Sequence, residues 1–223
     1  MALILHLETA TKTCSVALSE NGQLLQLAEE TSDKFSHAEK LNFFIEEVMK
    51  AAGKSIKDLE AVAISAGPGS YTGLRIGTSS AKGICYALDI PLISINSLKA
   101  LASLVDTNDI VCPMFDARRM EVYTALYRNG ENLLETQAMI IDEFSFTSEL
   151  SQGKIIFVGP GAEKCQEIIQ NDNAVFDLAT EVSAKGMIQL ALEKFKAKDF
   201  EDLAYFEPAY LKDFIAGKPK KLI

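Results

Sequence analysis

Apolar residues fall into two spacings along the chain: short unbroken runs, and faces repeating every three or four positions. Leu3-Ile4-Leu5-His6-Leu7 and Ser15-Val16-Ala17-Leu18 are strand-like runs flanking the hydroxyl-rich segment Glu8-Thr9-Ala10-Thr11-Lys12-Thr13. Asn21-Gly22 signals a hairpin turn, with a returning strand over Gln23 to Leu27. Ser36-His37-Ala38-Glu39 has the form of a capping box, and Leu41, Phe44, Ile45 and Val48 then follow on one helical face until Gly53. Ala61-Val62-Ala63-Ile64 reads as a buried strand and Thr72 to about Leu88 as a helix, with two glycines and a proline in the turn between. Pro91 to Ile95 is another strand, and Asn96-Ser97 caps a helix to about Leu104.

The polar break Asp106-Thr107-Asn108-Asp109 marks a boundary, after which the pattern starts again. Strands are expected over Ile110 to Phe115, over Met120 to Tyr127 and within Leu133 to Ile141, with Asn129-Gly130 as a hairpin turn. Ile155-Ile156-Phe157-Val158 then runs into Gly159-Pro160-Gly161 and an expected helix from Ala162 to about Gln170. A further helix is expected from Ser183 to about Ala197, and Pro208 begins the tail. Two meanders, each followed by a strand entering Gly-Pro-Gly, imply a duplicated α/β architecture. The expected lobes are 1–104 and 105–199, with the tail 200–223 packing back on the first.

Strand, glycine turn and helix together aim backbone N–H groups at an anion, so Ser65 to Gly77 admits an anion cradle as well as a tight structural turn. On geometry alone the turn is preferred. A P-loop is excluded because Gly73 is followed by Leu74 and Arg75. A dinucleotide fingerprint is excluded because Thr72 stands where its third glycine belongs. The helix after this segment is rich in small residues (Gly77, Ser79, Ser80, Ala81, Gly83, Ala87), which let another backbone come close.

The net charge of −9 argues against a chain that holds nucleic acid by itself. The basic run Lys218-Pro219-Lys220-Lys221 reads as a solvated end. Four scattered cysteines without a Cys-x-x-Cys, and no evident signal peptide, suggest reduced thiols in a cytosolic protein. No apolar run approaches the roughly 20 residues of a membrane span. A helical zinc pair is missing, since four residues after His37 stands Leu41, and His6 sits in an apolar strand. Gly67-Pro68-Gly69-Ser70-Tyr71 misses a nucleophile elbow by one position. Glu8 has no acidic companion nearby, and Asp116 with Arg118 and Arg119 reads as an ion-paired turn in preference to an anion contact. No catalytic or metal-binding residue is expected.

Ile4 to Ala10, Cys14 to Leu18, Ser36 to Leu41, Gly67 to Gly77, Asp116 to Tyr123 and Pro208-Ala209-Tyr210-Leu211 together resemble the TsaB (YeaZ) family. The matches come in the family's order, and the glycine segment is the specific one; many members have aspartate in place of Glu8. The resemblance implies an α/β, two-lobed actin-like, sugar-kinase-like ATPase (ASKHA) superfold of mixed sheets with flanking helices. It implies a cytoplasmic, non-catalytic dimerisation subunit that binds and activates TsaD. That complex makes N6-threonylcarbamoyladenosine next to the anticodon of tRNAs reading codons that begin with A. The partners implied are a TsaD-like catalytic subunit, a TsaE-like ATPase, a second copy when TsaD is absent, and tRNA only through the complex, with no membrane. No tightly bound cofactor is implied, with ATP or ADP at the interface of the complex.

In the family, the helix beginning at Ser36 and the one after the glycine segment bundle with TsaD. His37, Leu41, Phe44, Ile45, Leu74, Thr78, Ala81 and Cys85 are therefore the expected partner interface. Gly67, Pro68, Gly69 and Gly73 are expected to be a structural turn, and Thr9 and Thr11 vestigial nucleotide contacts. TsaD carries His-x-x-x-His where this chain has His37 and Leu41. Two alternatives stand beside this reading. One is a stand-alone nucleotide-dependent enzyme of the same superfold, favoured by the hydroxyl-rich first turn. The other is a glycoprotease, opposed by the missing histidine pair and nucleophile elbow.

Overall fold

A computed structural model describes residues 2–32 and 37–212. The chain opens as an antiparallel meander of β1 (Leu3–Glu8), β2 (Thr13–Glu20) and β3 (Gln23–Thr31). The β2–β3 hairpin is turned by Asn21 and Gly22 at φ of 52° and 82°, the left-handed pair that suits the strand twist. After α1 (His37–Ala51), β4 (Ala61–Ser65) joins β1 in parallel; after α2 (Tyr71–Leu88), β5 (Leu92–Ile95) joins β4 in parallel. The first sheet thus has the order β3-β2-β1-β4-β5.

The short α3 (Ser97–Ala102) is capped by the Asn96 side chain, which accepts from the Leu98 and Lys99 N–H groups, and leads to the second sheet. Here β6 (Ile110–Asp116), β7 (Glu121–Arg128) and β8 (Glu131–Ile140) form a second meander, turned by Asn129 and Gly130 at φ of 53° and 80°. After α4 (Thr147–Leu150), β9 (Ile155–Val158) pairs in parallel with β6, and β10 (Ala174–Asp177) with β9. The order β10-β9-β6-β7-β8 repeats the strand topology of the first sheet.

Side chains alternate across the strands, so β1 serves two cores. Leu3, Leu5 and Leu7 meet the apolar faces of α1 and α2, while Ile4 faces Ala184, Met187, Ala191 and Leu192 from the turn before α5 (Ile188–Ala197) and from α5 itself. Leu98 and Leu101 of α3 pack against Val111, Phe115, Ala125 and Tyr127, so α3 fills the space between the sheets.

The structure differs from the pattern in the second half. The helix expected from Ala162 is only a 3-10 turn, Glu163–Cys165. A short helix is marginal without support, and the Asn171 side chain bonds the Asn173 N–H (2.9 Å), an alternative to further helix. Elements α4 and β10 have four residues each, too few to show a period. The chain returns to the first sheet at Ser183 rather than at residue 200, where the Ala184 N–H donates to the Ser15 hydroxyl. Beyond it, Glu201 bridges to Leu92, and Lys82 of α2 donates to the carbonyls of Ala204 and Phe206. Ser36 and the basic run at 218–221 lie outside the described residues. Among the described residues no helix is long and apolar enough to cross a membrane.

Candidate functional site

The glycine segment between β4 and α2 is pressed against its own chain. A Cβ at Gly69 would lie 2.4 Å from the Ala10 carbonyl oxygen, one at Gly73 2.1 Å from that of Thr9, and one at Gly77 2.3 Å from the Thr9 hydroxyl. Gly67, at φ +105°, is covered by Ala209, whose carbonyl oxygen would lie 2.5 Å from its Cβ. Three N–H donors of this segment are already used. The Ser70 N–H bonds the Ala10 carbonyl (2.7 Å), the Gly67 N–H the Ser97 hydroxyl (3.0 Å), and the Gly73 N–H the capping Ser70 hydroxyl (3.3 Å). Gly69, Gly73 and Gly77 therefore seat α2 on the β1–β2 turn, while Gly67 is held by Ser97 and Ala209.

That turn is held from below as well. Glu8, fully buried, accepts from the Ala10 N–H at 2.6 Å. Burial pushes its carboxyl up to about 7, against hydrogen bonds from Ala10, Ser65 and Thr9 that pull it down. His37, first residue of α1, is buried and pairs through Nε2 with the Thr11 carbonyl at 2.8 Å. Burial lowers its pKa below the ordinary histidine value. Thr9 has no exposed surface, and the Thr11 hydroxyl accepts from the Thr13 N–H (3.2 Å). Both lie in the turn between β1 and β2.

Between the sheets, Ala10, Leu74, Leu98, Phe115, Val158 and Val182 form one apolar cluster joined by Tyr210 of the C-terminal segment. Tyr210 packs on Tyr71 with centroids 4.9 Å apart, and the Arg75 guanidinium lies 4.7 Å from the Tyr71 centroid. The region between the lobes is thus occupied by the chain's own side chains. Among the described residues no three His, Cys, Asp or Glu side chains gather as metal ligands. All four cysteines are buried and free, with burial pushing Cys14 and Cys85 up to about 11.

The eight residues expected to face a partner all point the other way. His37, Leu41, Phe44, Ile45, Leu74, Thr78, Ala81 and Cys85 are buried within the chain. An apolar stripe at helical spacing is the stripe a helix turns to its own core, and here the sheet is that core. The outward faces of α1 and α2 are different: Phe43 is 63% exposed and Tyr86 84%, among exposed Asn42, Glu46, Arg75, Ser79 and Gly83. The turn from Asp116 also departs from expectation. Its carboxylate pairs with Lys164 (2.5 Å) and accepts the Arg118 N–H (2.9 Å); it does not pair with either arginine side chain.

Two lobes sharing one topology, with three antiparallel strands extended by two parallel ones, define an actin-like, sugar-kinase-like ATPase fold. The activator of the 2-hydroxyisocaproyl-CoA dehydratase from Clostridium difficile, solved with bound ADPNP, has that fold. It matches over 90% of this chain and 98% of its own, with a TM-score of 0.53 at 10% identity. Within this class, the family described as "TsaD: tRNA N6-adenosine threonylcarbamoyltransferase" matches residues 29–219. The tRNA threonylcarbamoyladenosine biosynthesis protein TsaB of Escherichia coli K12 is 29% identical over 226 residues, covering 96% of each chain. The Bacillus subtilis protein of the same name is 31% identical over 175 residues, 75% of each. A solved Pseudomonas aeruginosa protein, described as uncharacterised with similarity to peptidase YEAZ, covers 95% of this chain and 100% of its own. Its TM-score is 0.83 at 26% identity. The chain belongs to the TsaB family.

Proposed function

We propose that this protein acts in threonylcarbamoyladenosine formation on tRNA as the non-catalytic partner of a TsaD-like subunit, which it binds through the outward face of α1 and α2. The observation that carries the reading is a contrast within one pair of helices. Their inner faces and the inter-lobe region are filled by the chain itself, while their outer faces expose two large aromatic side chains. Exposed aromatics are the anchors a helix-on-helix interface uses, and on α2 the small residues Ser79, Gly83 and Ala87 give a neighbouring helix clearance. The committed N–H groups of the glycine segment and the buried Thr9 support assigning the chemistry to the partner.

In this reading a second copy takes the same face when the TsaD-like subunit is absent. A TsaE-like ATPase completes the assembly, ATP or ADP binds at the interface of the complex, and tRNA is reached only through it, in the cytoplasm. Sedimentation velocity of the chain mixed with a TsaD-like subunit tests the interface. Phe43→Asp with Tyr86→Asp abolishes the mixed species at micromolar concentration and leaves the circular dichroism spectrum unchanged. A mixed species undiminished by the pair of changes contradicts the assignment.

A further inference from the structure

We propose that the turn between β6 and β7 is a contact for the phosphate backbone of an RNA, made by the exposed guanidinium groups of Arg118 and Arg119. For the identity of the RNA, the tRNA on which the complex acts, this rests on the function proposed for the chain.

The local charge opposes the charge of the chain. Overall the protein carries −9, yet at this turn each carboxylate is already neutralised by a lysine. Asp116 pairs with Lys164 and Glu121 with Lys212. Lys164 also donates to the carbonyls of Arg119 and Glu121, each at 2.7 Å, and Lys212 stands 5.9 Å from the Tyr123 ring centroid. Arg118 and Arg119 therefore remain as two exposed cations with no carboxylate within ion-pair distance among the described residues. Their charge is left for an outside anion.

The backbone points the same way. Arg118 and Arg119 have φ of +70° and +51°, in the left-handed region where asparagine or glycine sits with less strain. Two successive long side chains there cost folding free energy, and being exposed they recover none of it by packing. The turn is nonetheless fixed: the Asp116 carboxylate accepts the Arg118 N–H at 2.9 Å, and the Ala117 N–H bonds the Glu121 carbonyl at 3.0 Å. A rigid sheet end thus presents two planar forks that match phosphate oxygens bidentately. Because the whole chain is acidic, this contact adds to RNA binding by a complex and holds RNA by itself only weakly, at low salt.

Arg118→Asn with Arg119→Asn, measured in the full chain bound to a TsaD-like subunit, is the test. Asparagine suits the left-handed backbone, so the variant keeps or slightly raises its melting temperature, whereas a packing role for the arginines would lower it. Titrating labelled tRNA by fluorescence anisotropy at several salt concentrations, we expect affinity to fall about tenfold and the log–log salt slope to shrink by about 2. Unchanged tRNA affinity and slope overturn the proposal. So does a variant that loses the partner, which makes the turn a protein contact, or one that loses ATP affinity and keeps tRNA affinity. If the unaltered chain does not bind the TsaD-like subunit, the proposed function fails separately. The same pair is then compared on the chain alone at low salt, where equal tRNA retention overturns the arginine contact.

Discussion

The β1–β2 turn and the β6–β7 turn occupy equivalent places in the two lobes, yet one is sealed and the other is open. In the first lobe, β4 is followed by an 18-residue helix; Gly73 and Gly77 in it and Gly69 just before it let it lie directly on Thr9 and Ala10. In the second, β9 leads into Gly159-Pro160-Gly161, and the Gly161 N–H bonds the Met114 carbonyl (2.8 Å) much as Ser70 bonds Ala10. In place of a long helix, this lobe then has only the turn Glu163–Cys165. Residues 116–119 are therefore touched by Lys164 and Lys212 but not roofed by a helix. A repeated topology does not fix which loop is available; the length of the element after the parallel strand decides it.

The largest effect that would break this contrast is steric. Gly73→Ala puts a methyl group where 2.1 Å separates it from the Thr9 carbonyl oxygen, and neither backbone can yield cheaply. A loss of about 3 kcal/mol or more in urea unfolding is expected. Arg119→Ala, in the equivalent turn of the other lobe, is expected to change stability by no more than about 0.5 kcal/mol. Similar costs for the two would mean that the second turn is as tightly built as the first.

The next effect is electrostatic and belongs to the sealed turn alone. The Glu8 carboxyl is raised to about 7 from its ordinary 4.5, so the folded state keeps a proton that the unfolded chain has already released. Its contribution is thus fully present below about pH 4.5 and is lost as pH rises through about 7, amounting to roughly 3 kcal/mol at most. Glu8→Gln should flatten this part of the stability profile between about pH 4.5 and 7, as followed by thermal unfolding. A slope identical to that of the unaltered chain would place the titration elsewhere. The smallest effect is at the open turn, where Arg118→Asn relieves a left-handed residue and is expected to stabilise by about 0.5 kcal/mol. A loss of stability there would show that the Arg118 side chain is a packing element.

Much of the fold is legible in the sequence because its signals are local. Both Asn-Gly hairpins, the strand before each Gly-Pro-Gly and the helices α1 and α2 stand where periodicity and turn chemistry put them. Four-residue elements such as β10 are held by neighbours distant in sequence and leave no period to read. The candidate site is less legible, for a related reason. Helical spacing picks out Leu41, Ile45, Ala81 and Cys85 as one kind of face, but it is the face toward the sheet, and an interface must use the other. Phe43 and Tyr86 stand out only once their burial is known. The pairing of Asp116 likewise depends on Lys164, 48 residues away in the chain, which no local reading would connect to it.

Reconstitution of threonylcarbamoyl transfer onto tRNA tests the central claim most directly, with the TsaD-like subunit alone, this chain alone and the two together. The account predicts product from the mixture, little from the TsaD-like subunit alone and none from this chain alone. Turnover by this chain without a partner, or full activity of the TsaD-like subunit in its absence, would contradict it.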